Sequence, residues 1–328
     1  MKITTAVKAA PKVLWSLFTG RRIPLIVGWY LTYRCDRKCL FCGLSEVVCE
    51  EVQTEQALTI IDRLAAAGTR IIVFSGGEPL LRDDLGELLA RCKAHKITTG
   101  ITTNGSLVPK VIDRLRFLDN MKVSFEGPRS VHDALRGQGS YDEVMRACEI
   151  AKQNGISVLL NSTLNASNVG SIEQIVQTAE DLGLRVKFQP VSTAHTMGRD
   201  ISDLLLEQKV MTQAMEKLRR LRKTSRAIAN TDAGLAYMAN WPHPEPVPCL
   251  GGRLFLRLDP SGRSFFCTMQ RENFSSSSVL EAGVFDTMEG LKQEPCDGCW
   301  CTSTLELNLF LSKGWKRPWQ IMRFFNLK

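Results

Sequence analysis

The sequence predicts an α/β fold built on a parallel sheet, and three observations carry that prediction. Short apolar runs alternate with amphipathic stretches between residues 25 and 191; glycines stand where helices should stop; and a proline-rich break over residues 241–248 sets off a different C-terminal segment. Six repeats of strand then helix imply right-handed crossovers, so the sheet either opens as a doubly wound layer or curls into a barrel. In both forms the chemistry collects at the carboxyl ends of the strands.

The strands are expected at residues 25–32, 70–74, 98–103, 122–125, 158–163 and 186–190. Helices are expected at 55–67, 84–95, 110–118, 141–153 and 171–182, where apolar residues recur at helical spacing, as in Ala57, Ile60, Ile61 and Leu64. Gly68, Gly155 and Gly183 occupy C-cap positions. A polar helix over 202–223 reads as a solvated outer helix, and residues 254–258 and 264–267 flank Asp259-Pro260-Ser261-Gly262, a hairpin turn signal. Residues 275–278 read as a serine-rich loop. The expected divisions are an N-terminal amphipathic helix over 1–24, a barrel over 25–195, a helical linker over 196–245 and a C-terminal unit over 246–328.

Composition narrows the function. The 328 residues carry a net charge of +8, with 44% hydrophobic and 23% charged residues, and the isoelectric point is near 9.0. That balance allows an anionic partner, but no dense Lys/Arg block with interleaved aromatics is present, which disfavours nucleic acid. The longest apolar run, residues 23–31, is far short of a membrane span, and residues 7–18 lack the core and cleavage site of a signal peptide. Eleven cysteines grouped at short spacings, in a chain too large to need disulfides, point to metal ligation in a reducing, cytoplasmic setting.

Cys35, Cys39 and Cys42 directly follow the first strand. Three thiolates on a tight loop can hold three corners of a cubane cluster and leave the fourth iron open. A structural zinc site takes four closed ligands; Cys49 would be needed to complete one. This three-then-two spacing, with Phe41 before the last cysteine, resembles the signature of the radical S-adenosylmethionine (radical SAM) superfamily. The resemblance runs from the first strand to the sixth. It implies a partial (β/α)6 TIM-type barrel with a small C-terminal β-hairpin/helix auxiliary-cluster domain. It further implies a 4Fe–4S cluster whose open iron is chelated by S-adenosylmethionine, and cleavage of that cofactor to a 5′-deoxyadenosyl radical that abstracts hydrogen from substrate.

Other segments extend the resemblance. Ser75-Gly76-Gly77-Glu78-Pro79 looks like the glycine-rich motif whose backbone recognises the methionyl amino group, and glycine suits a place where a ligand approaches the main chain. Asn104 ends the third strand; Ser124-Phe125-Glu126-Gly127 resembles the Ser-x-Asp-Gly that contacts ribose and carboxylate, with Glu126 one methylene longer than the usual aspartate. His132-Asp133 and Arg136-Gly137 resemble the segment that follows, with Arg136 as a bidentate partner for the methionyl carboxylate or, alternatively, a surface salt bridge, and His132 structural. Asn161 would face the cofactor and Gln189 the adenine, or both would be core polar residues; Cys92 and Cys148 lie on helices as small core residues.

Beyond the junction, Cys249, Cys267, Cys296, Cys299 and Cys301 resemble the auxiliary-cluster extension called SPASM in its shortened, twitch form. The resemblance implies a second 4Fe–4S cluster on Cys249, Cys267, Cys296 and Cys299, with Cys301 as a fifth candidate that could replace Cys299. Zinc suits the same donor set. The functional expectation is radical oxidation or rearrangement of a small molecule, with an electron donor such as flavodoxin or ferredoxin. The alternatives are a maturase of ribosomally made peptides and a membrane-surface enzyme held by tryptophan-bearing termini on a lipid-linked substrate. An iron–sulfur electron carrier is the non-enzyme reading, which the glycine cradle disfavours.

Overall fold

The computed structural model describes residue 16 and residues 19–243, 245–268, 274–291, 296 and 298–313, the last three as backbone only. Most of the expected N-terminal helix and the tail beyond residue 313 lie outside the described residues.

Six parallel strands, β1 (Ile26–Thr32), β2 (Ile71–Gly76), β3 (Thr98–Thr103), β4 (Asn120–Ser124), β5 (Ser157–Leu164) and β6 (Arg185–Pro190), are joined in sequence order into a partial barrel. Their alternation explains why they form one. Val27, Trp29 and Leu31 of β1, Ile72 and Phe74 of β2, Met121 and Val123 of β4, and Val186 and Phe188 of β6 are buried in the core shared with the helices. With a side-chain period of two, Gly28, Tyr30, Lys122, Ser124, Asn161, Lys187 and Gln189 therefore line the inner face. On the outside, α1 (Thr54–Ala67) starts at a capping box between Gln53 and Gln56, buries Ala57, Leu58, Ile60, Ile61 and Leu64, and stops at Gly68, whose φ of 104° suits only glycine. Each of the leucine and isoleucine side chains contributes about 1.5–3 kcal/mol when fully buried. The other helices that cover the barrel include α2 (Leu85–Ala94), α3 (Val108–Val111), α4 (Arg129–Arg136), α5 (Ser140–Gln153) and α6 (Ile172–Asp181).

Several elements differ from expectation. The helix expected over 110–118 is only α3, with Pro109 in its first turn, followed by a 3-10 turn, Ile112–Leu115; the β-branched Val108, Val111 and Ile112 disfavour a longer α-helix. The helix expected over 202–223 is α7 (Gln208–Leu221). Before it, Ser202–Leu204 forms a 3-10 turn that ends at Leu205 in extended geometry, so the α-helix starts only at Gln208. The serine loop at 275–278 is a strand, β9 (Phe274–Ser278), held because Ser264 donates its backbone N–H to Ser275 Oγ at 3.0 Å and Arg263 donates to the Ser275 carbonyl at 2.9 and 3.1 Å.

The C-terminal unit shares the barrel's sheet. β7 (Phe255–Leu258) lies parallel to β1, in register from Ile26↔Phe255 to Trp29↔Leu258. β7, β8 (Arg263–Phe265) and β9 then continue antiparallel, completing the order β6-β5-β4-β3-β2-β1-β7-β8-β9. The Trp29 indole donates to the Asp259 carbonyl at 3.1 Å, fixing the hairpin to the barrel core. At the far edge Asn230 stands in for a missing strand, accepting from Phe188 N–H at 2.8 Å and donating to the Phe188 carbonyl at 2.9 Å. Short helices α8 (Asp232–Met238), α9 (Val279–Ala282) and α10 (Val284–Glu289) precede α11 (Thr302–Lys313), whose first turn reaches β6 through Thr302 Oγ1, 3.4 Å from the Phe188 carbonyl.

Candidate active site and auxiliary cysteine site

The loop that leaves β1 at its carboxyl end carries Cys35, Cys39 and Cys42. It is held from three sides. Asp36 accepts from Asn104 Nδ2 at 2.8 Å and from Ser106 Oγ at 2.5 Å, tying the loop to the end of β3. Leu40 N–H donates to the Leu135 carbonyl at 3.1 Å, and Gly43 N–H to the His195 carbonyl at 2.8 Å. Arg199 donates to the Cys39 carbonyl at 3.2 Å and pairs with Glu46.

The chemistry of the donor set fits an iron–sulfur cluster. Burial pushes the Cys35 thiol up to about 12 and raises Cys42 as well, Cys39 adding to both. Such thiols ionise when a metal replaces the proton, and donors stand ready for the resulting sulfur charge. Arg37 N–H lies 3.4 Å from Cys35 Sγ, and Arg136 Nη1 lies 3.6 Å from Cys39 Sγ. Phe41 packs beneath the Arg136 guanidinium, 5.2 Å from ring centroid to Cζ. Tyr30, Tyr33, Leu44 and Phe265 form an apolar shell against Cys42 and Cys49. Cys49 is thus near the loop, but its polar contacts are the Glu50 carbonyl at 3.4 Å and the Ser261 backbone.

The glycine-rich turn has a second purpose. A Cβ on Gly76 would meet the Thr32 carbonyl oxygen at 2.1 Å, and one on Gly77 would meet the Arg34 carbonyl oxygen at 2.2 Å. Gly77 N–H donates to the Thr32 carbonyl at 2.9 Å and Glu78 N–H to the Arg34 carbonyl at 2.8 Å. The glycines therefore let the cysteine loop's own backbone come close. An ammonium group needs acceptors, so the spent N–H groups leave the expected role of this turn to its carbonyls. Glu78 is fully buried and accepts from Thr103 Oγ1 at 2.9 Å, Asn104 N–H at 2.8 Å and Leu80 N–H at 3.1 Å. Burial raises its carboxyl to about 7 against those donors. It knits β2 to β3, while Pro79 begins the 3-10 turn that follows.

Glu126 and Arg136 likewise bind each other, Nη2 and Nε lying 2.6 and 3.0 Å from Oε1. The second carboxylate oxygen accepts from Thr163 N–H at 2.9 Å and Asn168 Nδ2 at 3.2 Å. Burial raises the Glu126 carboxyl although Arg136 opposes it. Arg136 is therefore a buried ion-pair partner, and the surface salt bridge considered for it does not describe its place. The extra methylene of Glu126 lets one carboxylate span Arg136 and the end of β5. Glu126 N–H donates to His132 Nδ1 at 3.1 Å, and burial, with Arg136 nearby, depresses this imidazole to about 3. Ser124 and Asn161 are paired in register and buried on the inner face. Gln189 meets Thr302 Oγ1 at 3.3 Å through its Oε1, so α11 is its neighbour. Cys92 and Cys148 are buried core thiols.

The C-terminal cysteines come together from the two flanks of the β7–β8 hairpin, Cys249 before it and Cys267 after it, and from the segment before α11. Cys299 is raised by burial and by the charges of Cys301, Cys249, Cys267 and Cys296, so all five share one neighbourhood. Gly251 N–H donates to Cys249 Sγ at 3.3 Å, and Cys299 N–H donates to the Tyr237 hydroxyl at 2.9 Å. Trp300 is wedged between Tyr237 and Trp241, with centroids 5.8 and 4.3 Å apart, shielding one side. Cys301 differs from the rest. Burial pushes it up, but the Arg257 guanidinium 3.5 Å away and the Thr304 hydroxyl at 3.4 Å bring it down to about 7. Asp297 lies outside the described residues. Among the described residues no three His, Cys, Asp or Glu side chains converge closely enough to hold a single metal ion.

Sequence reasoning missed Lys122, Lys187 and Arg257, which face the inside of the barrel from β4, β6 and β7. The signal was there: each is a cation between core residues of a buried strand. Tyr30 was missed too; its hydroxyl lies 3.0 Å from His195 Nε2 and 3.3 Å from Thr268 Oγ1, between the two groups of cysteines.

A cysteine loop at the mouth of a six-stranded partial barrel, with sulfur-directed donors, defines an iron–sulfur radical domain. Residues 29–188 match the family model described as the radical SAM superfamily. Those residues are a domain of that superfamily, whose members bind a 4Fe–4S cluster and S-adenosylmethionine. It is 35% identical over 171 residues to the Fe-coproporphyrin III synthase of Methanosarcina barkeri, covering 50% of this chain and 43% of that one. The chain thus spans less than half the length of that relative. It is 29% identical over 298 residues to the PqqA peptide cyclase of Granulibacter bethesdensis, covering 82% and 78%. Among solved structures, Streptococcus suis SuiB bound to its precursor peptide SuiA superposes with a TM-score of 0.67 at 16% identity, over 86% of this chain and 68% of that one. Among the described residues no helix is long and apolar enough to cross a membrane.

Proposed function

We propose that this chain is a radical SAM enzyme that modifies a ribosomally made peptide, with a second 4Fe–4S cluster on Cys249, Cys267, Cys296 and Cys299. The observation that carries the radical reading is the loop of Cys35, Cys39 and Cys42, anchored through Asp36 and faced by Arg37 and Arg136. The chemistry supplied there, when cluster and cofactor are bound, is one-electron cleavage of a carbon–sulfur bond in S-adenosylmethionine, giving the radical that takes hydrogen from substrate.

The chain's own residues do the positioning. Arg37 N–H and Arg136 Nη1 stabilise negative charge on sulfur, and Phe41, Tyr33 and Leu44 keep water from it. The carbonyls of Gly76 and Gly77 would take the methionyl amino group, Asn104, Ser124 and Asn161 the polar parts of the cofactor, while Glu78, Glu126 and Arg136 hold the strands that present them. A peptide substrate is favoured over the expected small molecule because the PqqA peptide cyclase shares most of its length with this chain. Cys301 is left out of the four proposed ligands because its sulfur is engaged by Arg257 and Thr304. Reduced flavodoxin or ferredoxin would supply the electron.

Anaerobic reconstitution followed by iron counting and a search for 5′-deoxyadenosine under reducing conditions tests the reading. About eight irons per chain are expected, about four of them lost in Cys299→Ala and none in Cys301→Ala. No 5′-deoxyadenosine from the fully loaded protein would remove the radical assignment, and about four irons plus one zinc would replace the second cluster.

A further inference from the structure

We infer that the barrel lumen contains an anion site, formed by Lys122, Lys187 and Arg257 beside the first turn of α11, that receives a carboxylate or phosphate group of the substrate. The inference rests on the enzyme reading above and specifies its substrate.

The three cations come from three different strands and meet in one place. Lys122 sits between Met121 and Val123, Lys187 between Val186 and Phe188, and Arg257 between Leu256 and Leu258, all six flanking residues being buried. Strand alternation therefore directs the cations inward. Lys122 and Lys187 act on each other electrostatically, Arg257 acts on Lys122, and all three act on Cys301. Lys122 Nζ donates to Ser303 Oγ at 3.2 Å, and Arg257 Nη2 donates to Thr304 Oγ1 at 3.5 Å, which brings both cations to the N-terminal turn of α11. Gly28 makes room for the guanidinium: a Cβ there would lie 2.0 Å from Arg257 Nη1.

The three cations lack carboxylate ion-pair partners in this space: among the described residues none of them forms an ion pair within 4.0 Å with a carboxylate. The one carboxylate acting on Lys187 is Glu306, whose oxygens already accept from Thr231 N–H at 2.8 Å and Thr231 Oγ1 at 2.5 Å. Lys122 and Lys187 thus face Cys301 and the engaged Glu306, while Arg257 faces Cys301 and also the charges of Cys267 and Cys299, which are assigned to the second cluster. Cations in a confined space are costly without counter-charge, and a helix N-terminus adds N–H donors and a partial positive charge beside them. An oxyanion with several acceptor oxygens satisfies the whole set, which a neutral group does not.

The position also fits a substrate. Lys122 is two residues before Ser124 on the same face of β4, and Lys187 pairs in register with Asn161. Two residues along a strand span about 6.6 Å. An anion held here spans from one layer beneath Ser124, at Lys122, to the level of Asn161, at Lys187, so it anchors one end of a substrate beside the residues assigned to the cofactor and leaves the reacting carbon to extend toward the strand ends.

The test uses the full-length reconstituted protein and two probes, acetate and inorganic phosphate. Each is titrated while thermal stability and the 13C or 31P line width of the probe are followed. Binding raises the melting temperature and broadens the line. Lys122→Gln and Lys187→Gln should each weaken the apparent affinity about tenfold, whereas Lys187→Arg, which keeps the charge, should retain it. A response to acetate alone assigns a carboxylate, and a response to phosphate alone a phosphate group. No response in the unaltered protein overturns the inference, as does an equal response in both glutamine variants, which would mark adventitious surface binding. The line-width measurement on the unaltered protein needs no variant, so an unbroadened line overturns the inference even if one of them misfolds. Because neither readout involves cofactor cleavage, failure here is distinct from absence of 5′-deoxyadenosine in the unaltered protein.

Discussion

Replacing Gly77 by alanine should strip the first cluster while leaving the fold standing. The new Cβ would lie 2.2 Å from the Arg34 carbonyl oxygen and 2.5 Å from that of Tyr33, where ordinary contact begins at 3.4 Å. The loop must therefore back away by 3.4 minus 2.2, or 1.2 Å, at the residue that immediately precedes Cys35. Both obstacles are backbone, so no side chain can swing aside. The move disrupts the Gly77-to-Thr32 and Glu78-to-Arg34 hydrogen bonds, worth about 1 kcal/mol each, and adds about 1–3 kcal/mol of overpacking, for a total near 3–5 kcal/mol. Iron content after reconstitution should fall by about half, and the urea midpoint should drop with an unchanged slope. Gly170→Ala is the control, because nothing lies within 4 Å of a Cβ there. Full iron content and an unshifted midpoint in Gly77→Ala would refute the argument that this glycine exists for the cysteine loop.

Glu126→Gln leaves the buried Arg136 without its countercharge and should cost about 3–5 kcal/mol in denaturant unfolding; Glu126→Asp, which shortens the reach to Arg136, Thr163 and Asn168, should fall between the two. His132 is depressed to about 3 from 6.5, so between those values the unfolded chain takes a proton that the folded one refuses. Stability conferred by the neutral ring is complete above pH 6.5 and declines below it, by about 1.4 kcal/mol at pH 5.5; His132→Asn should flatten that slope, and an identical pH profile would contradict it. Asn230→Ala exposes both Phe188 backbone groups at the edge of β6 and should cost about 1–3 kcal/mol, with faster amide exchange confined to β6.

The barrel was largely legible because its strands announce themselves twice, by apolar alternation and by the helices between them. The helix α4 was hidden because Arg129–Arg136 offers only three apolar residues, and its His132 and Asp133 are buried by polar contacts that no periodicity records. The cysteine loop was legible from spacing alone. The purpose of Gly76 and Gly77 was not, since their neighbours in space, Thr32 and Arg34, are more than forty residues away in the chain. Arg136 illustrates the same limit: its partner Glu126 was identified, but the ion pair between them depends on how α4 folds back over the end of β4. Lys122, Lys187 and Arg257 are widely separated in sequence, and only the curling of the sheet brings them within electrostatic reach of one another.

The parallel ladder between β1 and β7 makes the spacing of the two cysteine groups a property of the sheet. Cys35 hangs from the end of β1, and Cys267 follows β8, whose partner β7 is bonded to that same β1. A chain ending near residue 245 would uncover the edge of β1 along four paired residues, Ile26 to Trp29, and present it to other molecules as a template. Expression of the barrel by itself is thus a route to aggregation, and the two halves are best treated as one unit of inheritance, neither being exchangeable without the other's matching strand.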